Sequence, residues 1–392
     1  MNLSQRLSRV ASSATIAITS RAAELKQQGI DVVSFSAGEP DFDTPKFIKD
    51  AAKAALDAGD TKYMPRTLGK LKDAISEKLA RENGLDIPAG QIQMTFGGKH
   101  ACYACCQALV DPGQKVLIPA PYWVSYTEMV KLADGEPVIL ETSPASGFKI
   151  TPEQILAHRD ARAIFINSPS NPTGVTYSPD ELKALADAIL QTDMIVFSDE
   201  IYEKLIYGET EFVSFASLDK RLPERTITLN GLSKSFSMTG WRLGWAAGPA
   251  DAIGAIRKLM SHETTNPVSF AIAGALAAYT SPQADGEVEK MRGEFERRGE
   301  HMYQRLAALP GVTCEKPTGA FYCFPDVSSH YGRTLAGVEV TDSLSFARAA
   351  LEGQVALVPG SAFGEDRCVR LTFATDLASI DKGIDRLAEL LK

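Results

Sequence analysis

Between about residue 90 and residue 250, short apolar runs alternate with stretches in which apolar positions recur at the helical period. The runs Gln93–Phe96, Val116–Ile118, Val138–Leu140, Ala163–Ile166, Met194–Phe197, Thr226–Leu229 and Leu243–Ala247 have the length and content of buried strands. Between two of them, Leu182, Leu185, Ala186, Ile189 and Leu190 follow a helical stripe. Ser178-Pro179-Asp180-Glu181 opens that helix with a capping serine, a proline at the first helical position and a glutamate at the third. Thr151-Pro152-Glu153-Gln154 repeats the signal ahead of Ile155 and Leu156. Strands separated by helices predict a mostly parallel sheet covered on both faces. After about Gly286 the pattern changes. A charged helix over Glu287–Leu309 leads into shorter strands and helices, which predicts a smaller α+β unit. An N-terminal arm running into an amphipathic helix around Ala22–Gln28 is expected to join it.

Length and composition narrow the options. A chain of 392 residues exceeds one ordinary core, so two domains are expected. Hydrophobic residues make up 44% and charged residues 23%, the balance of a water-soluble globular protein. The net charge of −8 argues against a nucleic-acid-binding face, so lysines and arginines inside motifs become informative. Six cysteines are too few for a disulfide scaffold. Cys102, Cys105 and Cys106 cluster beside His100, but no second Cys/His pair follows at ligand spacing; a buried helix face is the better reading, with no metal expected. No run reaches the length of a membrane span, and Pro267–Thr280 reads as a buried helix. The first 23 residues lack Asp and Glu, a faint likeness to a transit peptide, yet a structural arm and a cytoplasmic location are the expectation.

In open α/β sheets ligands sit beyond the carboxyl ends of the strands. Four polar segments follow predicted strands: Gly97-Gly98-Lys99, Asn167 to Gly174, Asp199-Glu200, and Asn230 to Lys234. Lys234 between serines after an apolar strand is a candidate Schiff-base nucleophile, against the alternative of an ordinary loop lysine. Asp199 ends a buried strand and needs a cation or hydrogen bonds, which a pyridinium nitrogen or a helix cap could supply; Tyr202 lies three residues on. Gly97-Gly98 before an apolar helix suits an anion, with Arg242 as a source of charge. Asn171 sits in a strong turn, and Trp123 could stack on a flat ring or lie in the core. Arg370, in the alternating strand Cys368–Thr372, has the planar fork that suits a substrate carboxylate.

Taken together, these segments resemble the class I aminotransferases of the fold type I pyridoxal-phosphate (PLP) superfamily. The likeness runs in order through Gly38-Glu39-Pro40-Asp41-Phe42, Tyr122-Trp123-Val124-Ser125-Tyr126, Asn171-Pro172-Thr173-Gly174, Ser198-Asp199-Glu200-Ile201-Tyr202, Ser233-Lys234-Ser235-Phe236, Gly240-Trp241-Arg242-Leu243-Gly244 and Gly319-Ala320-Phe321-Tyr322. It is strongest to the bacterial aspartate aminotransferase branch. The resemblance implies a large PLP domain over 46–285 and a small domain from 1–45 and 286–392. It also implies a homodimer with shared sites, in which Tyr63 reaches the cofactor phosphate of the other subunit.

The same resemblance implies residue roles: Lys234 joined to the cofactor, Asp199 on the pyridine nitrogen, Tyr202 and Asn171 on the ring oxygen, and Trp123 on the ring face. It places Gly98, Lys99, Ser233 and Arg242 at the phosphate, and Arg370 with Gly38 at the substrate carboxylate. Lys99, or Arg66 of a second subunit, would meet the distal carboxylate of aspartate. Three features depart from the pattern. Gly231 stands where several relatives have a phosphate-binding serine; the segment from Tyr63 to Gly69 is one residue short; and Ala11-Ser12 replaces a Lys-Pro pair of some prephenate-using relatives. Aspartate with 2-oxoglutarate is the expected substrate pair. Prephenate, aromatic or other amino acids, or β-elimination on the same fold, are the alternatives. A DNA-binding regulator is disfavoured, because about 45 residues ahead of the large domain leave no room for the extra module.

Overall fold

The seven expected strands form one sheet in the computed structural model, which describes residues 4–12, 14–63 and 65–392. They are β1 (Ile92–Thr95), β2 (Lys115–Pro119), β3 (Glu136–Leu140), β4 (Ala163–Asn167), β5 (Ile195–Asp199), β6 (Thr226–Gly231) and β7 (Gly244–Ala247). The spatial order is β1-β7-β6-β5-β4-β2-β3. β7 runs antiparallel to both its neighbours, and every other pair is parallel.

Both faces of this sheet are covered, which is why its strands are nearly continuous apolar runs. Phe165, Phe197 and Leu229 pack on one side against Ala101, Cys102 and Cys105 of the helix Gly98–Leu109 and Ile253 and Ile256 of the helix Ala250–Ser261. Ile164, Ile166 and Val196 face the other way, onto Leu182 and Leu185 of the helix Pro179–Ile189. That helix starts as its sequence predicts: the Glu181 amide donates to Ser178 Oγ at 3.2 Å and the Ser178 amide to the Glu181 carboxylate at 2.7 Å. The apolar stretch expected to be a buried helix forms Ser269–Thr280, packed with Ile48, Leu71 and Trp245.

Beyond the long helix Ala284–Ala307, three short strands make an antiparallel sheet: β8 (Tyr322–Cys323), β9 (Val358–Pro359) and β10 (Val369–Thr372), in the order β9-β10-β8. Phe295, Met302 and Leu306 of the long helix close over it together with Ile380, Ile384 and Leu387 of the helix Leu377–Leu390. Val33–Ser34 pairs in parallel with Val355–Ala356, so the beginning of the chain joins its end. The N-terminal helix begins earlier than expected, spans Ala14–Gln27 and buries only a narrow line, with Ile18, Ala22 and Leu25 on Val32, Leu351 and Ala356. Residues 1–3 and Ser13 of the expected arm, and Met64 of the shortened segment, lie outside the described residues. Among the described residues, no helix is long and apolar enough to cross a membrane.

Candidate active site

The four polar segments that follow β1, β4, β5 and β6 meet at one cavity of about 500 Å³, lined by Gly98, Lys99, Asn171, Asp199, Ser233 and Lys234 among others. Gly38, Trp123, Tyr202, Arg242 and Arg370 line it too. Strand direction explains the convergence: parallel neighbours end at the same edge, so residues far apart in sequence emerge side by side. β5 ends in Asp199 opposite Asn167 at the end of β4.

Lys234 sits on the turn after β6, partly open to the cavity. Its Nζ donates to the carbonyl of Gly38 at 2.5 Å and lies 5.5 Å from the Phe321 ring centre. Burial pulls the ammonium down to about 8; Arg370 and Arg242 push the same way, while Glu39 and Asp199 oppose them. An amine so placed is much closer to its nucleophilic form at neutral pH than an ordinary lysine.

Asp199 is buried. Its Oδ2 accepts from the Tyr126 hydroxyl at 2.6 Å and its Oδ1 from the Ile201 amide at 3.2 Å. Burial raises its pKa, and those two donors with the charge of Lys234 pull against the rise. Among the described residues no cation hydrogen-bonds this carboxylate, yet it faces the cavity. Tyr202 stands beside it, its hydroxyl 2.9 Å from that of Tyr322.

Arg370 is the most buried cation of the site, 2% exposed. Its strand is buried on both faces, in place of the alternation expected from sequence. Nη1 donates to Asn171 Oδ1 at 3.0 Å and Nη2 to the carbonyl of Ser36 at 2.9 Å, while the buried Nε has no partner among the described residues. The guanidinium stacks between Tyr322 and Phe363, with ring centres at 4.5 and 5.0 Å. A rigid, desolvated arginine with donor capacity to spare fits a carboxylate.

The side of the cavity where the helix Gly98–Leu109 begins suits a phosphate. That helix starts at the cavity wall, next to Ser233 and Arg242, and the first N–H groups of a helix have no partners within it. Gly97 has φ +85°, and a Cβ there would lie 2.7 Å from Arg242 Nη2, so glycine is what lets the guanidinium approach the loop. Arg242 Nη1 donates to the carbonyl of Thr239 at 2.8 Å. Lys99 Nζ lies 5.0 Å from the centre of the Trp123 ring; burial lowers its pKa, and Arg242 adds to the effect.

Tyr63 and Arg66, expected to act at the site of a second subunit, do not line this chain's own cavity. Tyr63 is 85% exposed and does not line this cavity; its carbonyl accepts from Asn266 Nδ2 at 3.1 Å. Arg66 is exposed and also lies away from it. A serine at Gly231 would not simply restore a phosphate ligand, because a Cβ there would meet the carbonyl of Leu243 at 2.8 Å. Ala11 and Ser12 line a neighbouring cavity of about 900 Å³ that shares Lys99 and Arg242 but contains neither Lys234 nor Asp199. Cys102, Cys105 and Cys106 are buried on the sheet-facing side of their helix, with burial raising all three thiol pKa values.

Sequence reasoning assigned no role to Tyr126, Tyr322 or Ser36, which hold Asp199, Tyr202 and Arg370. Tyr126 and Tyr322 do stand in the motifs that carry the family resemblance, and that was the available signal. Ser36 acts through its carbonyl, which any residue has.

Comparison with known proteins agrees with this geometry. The family described as aminotransferase class I and II matches residues 30–387. An aspartate aminotransferase of Geobacillus stearothermophilus is 48% identical over 100% of this chain and 99% of its own length. An aspartate/prephenate aminotransferase of Cereibacter sphaeroides is 45% identical, covering 95% of this chain and 94% of its own. The solved structure of a Thermus thermophilus aspartate aminotransferase with maleate superposes with a TM-score of 0.94 at 40% identity, covering all of both chains. With a family match over most of its length and relatives this similar along all of it, the chain belongs to the aminotransferase class I and II family, on the fold type I architecture.

Proposed function

We propose that this aminotransferase depends on pyridoxal phosphate and moves an amino group between L-aspartate and 2-oxoglutarate. The observation that carries the reading is a single cavity shared by a lysine with a depressed pKa, a buried carboxylate lacking a cationic hydrogen-bond partner among the described residues, and a buried arginine with an unused N–H. These groups fit the cofactor and its substrate part by part. Asp199 would hold the proton on the pyridine nitrogen. Tyr202 and Asn171 would donate to the ring oxygen, and Trp123 would cover the ring. Ser233, Arg242, Lys99 and the helix start at Gly98 would cradle the phosphate. When bound, pyridoxal phosphate supplies an electrophilic aldehyde and a protonated ring that draws electron density from the substrate Cα.

The chain's own residues then account for the rest. Lys234 would hold the cofactor through its amine, and the same amine would take the proton from the substrate Cα as base and give it up again as acid. Arg370 binds the α-carboxylate and orients the Cα–H bond towards Lys234. Gly38 lies on the segment that covers the site, and its carbonyl already receives the lysine. Lys99 at the mouth would take the distal carboxylate. Support for a dicarboxylic substrate comes from the aspartate aminotransferases to which the chain is similar, one of them solved with maleate, a dicarboxylate.

On this reading residues 46–285 form the cofactor-binding domain, and 1–45 with 286–392 the smaller one. The enzyme works as a homodimer, with Tyr63 of a second copy completing the phosphate site; the outward position of Tyr63 supports this. Borohydride reduction of the loaded protein followed by peptide mapping tests the reading. One phosphopyridoxyl label on Lys234 is expected. Aspartate alone should shift the bound chromophore, and 2-oxoglutarate should reverse the shift. A label on another residue, or release of ammonia and pyruvate without an acceptor, would overturn it.

A further inference from the structure

The turn Asp199-Glu200-Ile201-Tyr202-Glu203 lines the cavity with Asp199, Ile201 and Tyr202, and sends its other two carboxylates, Glu200 and Glu203, elsewhere. Strand alternation sets this up: Phe197 and Asp199 face Cys102 and Tyr126, so Ser198 and Glu200 face the opposite side of the sheet. There Glu200, 2% exposed, accepts three hydrogen bonds on one oxygen, from Ser198 Oγ at 2.8 Å, Ser214 Oγ at 2.9 Å and the Phe215 amide at 3.1 Å. At the far end of the turn Glu203 accepts from Lys78 Nζ at 2.5 Å and Asn83 Nδ2 at 2.9 Å, and all three side chains are buried.

Burying carboxylates is expensive, and apolar packing in their place would stabilise a fold at least as well. What the carboxylate adds is direction. Two of the donors, Ser214 Oγ and the Phe215 amide, tie the end of β5 to the segment at Ser214–Phe215, while Ser198 of β5 itself orients the carboxylate between them, and so the height at which Asp199 enters the cavity is fixed. A misplacement of about 1 Å at a group that contacts the reacting atoms can cost on the order of a hundredfold in rate, so the bracing of Asp199 bears on turnover.

We propose that Glu200 is a positioning residue for Asp199, bracing it from the side of the sheet away from the cavity. This rests on the cofactor reading above. The test uses the full-length protein, stripped of cofactor and titrated with pyridoxal phosphate, as wild type, Glu200→Ala, Glu200→Gln and Ser214→Ala. Three quantities are read: the Kd for pyridoxal phosphate, the pH titration of the bound chromophore, and kcat.

Glu200→Ala is expected to weaken cofactor binding by about tenfold or more, to move the chromophore titration, and to lower kcat by a similar factor. Glu200→Gln keeps an oxygen for the three donors and is expected to stay within about twofold of wild type. Ser214→Ala removes one donor and should weaken binding by about threefold, which keeps the test decisive if Glu200→Ala does not fold. Wild-type affinity and an unmoved titration in Glu200→Ala, or in Ser214→Ala where the alanine variant is unfolded, would overturn the proposal. If wild type itself takes up no pyridoxal phosphate, the cofactor reading has failed instead.

Discussion

The hydroxyl of Tyr126 donates to Asp199 Oδ2 at 2.6 Å, within a layer where the tyrosine ring also stacks on Phe165 at 4.3 Å. Tyr126 comes from the helix Ser125–Leu132 and Asp199 from the end of β5, so a helix fixes the orientation of a strand residue's carboxylate. Removing the hydroxyl takes away one of the donors that oppose the effect of burial, so the Asp199 pKa should rise further. Tyr126→Phe is expected to lower kcat about three- to tenfold, the worth of roughly 1 kcal/mol for one hydrogen bond. Steady-state kinetics checks this, and an unchanged kcat would mean that Asp199 is held well enough without Tyr126.

Removing the carboxylate itself should cost more. Asp199→Ala is expected to reduce kcat by at least about a hundredfold, roughly 2.7 kcal/mol in the barrier. Near-normal turnover in a variant with intact circular dichroism would refute the role given to Asp199.

Substrate choice turns on Lys99, which lies beside Trp123 and Arg242 at the cavity mouth. Lys99→Ala should lower kcat/KM for aspartate about ten- to a hundredfold, in line with 1.5–3 kcal/mol for a charged hydrogen bond. Alanine, which has no distal carboxylate, should lose much less. Equal losses for the two amino acids would show that Lys99 acts only on the phosphate.

Stability should also respond to pH through Glu200. Burial and the neighbouring Glu203 push its carboxyl up to about 7, against the hydrogen bonds from Ser198, Ser214 and Phe215. With the folded value above the ordinary carboxyl value of 4.5, the native state binds the extra proton inside that window. Stability from this group is therefore full below the window and falls as pH rises through about 7. Glu200→Gln stays neutral throughout. Its urea midpoint, compared with wild type in the cofactor-free protein, should improve between pH 5 and pH 8 by about 2 kcal/mol of unfolding free energy. A pH-independent difference between the two proteins would contradict the assignment.

Much of this molecule was legible before any coordinates. Most strands of the main sheet could be read because they are buried on both faces and so appear as apolar runs, while the edge strand Glu136–Leu140 is only partly buried. Lys234, Asp199, Gly98 and Asn171 could be read because six of the seven strands run the same way and so bring their carboxyl ends to one edge. The start of the N-terminal helix leaves little trace in the sequence, since its inner line of Ile18, Ala22 and Leu25 is narrow and most of its other described residues are exposed.

Sequence alone determined which segments become strands and which polar residues stand at their ends, since burial and turn chemistry act locally and leave a periodic trace. Only the tertiary structure decided which groups meet. Tyr126 reaches Asp199 across 73 positions, Arg370 reaches Asn171 across 199, and Glu203 reaches Lys78 across 125. Such pairs leave no period in the chain, because a hydrogen bond depends on the distance and angle between side chains that packing alone brings together.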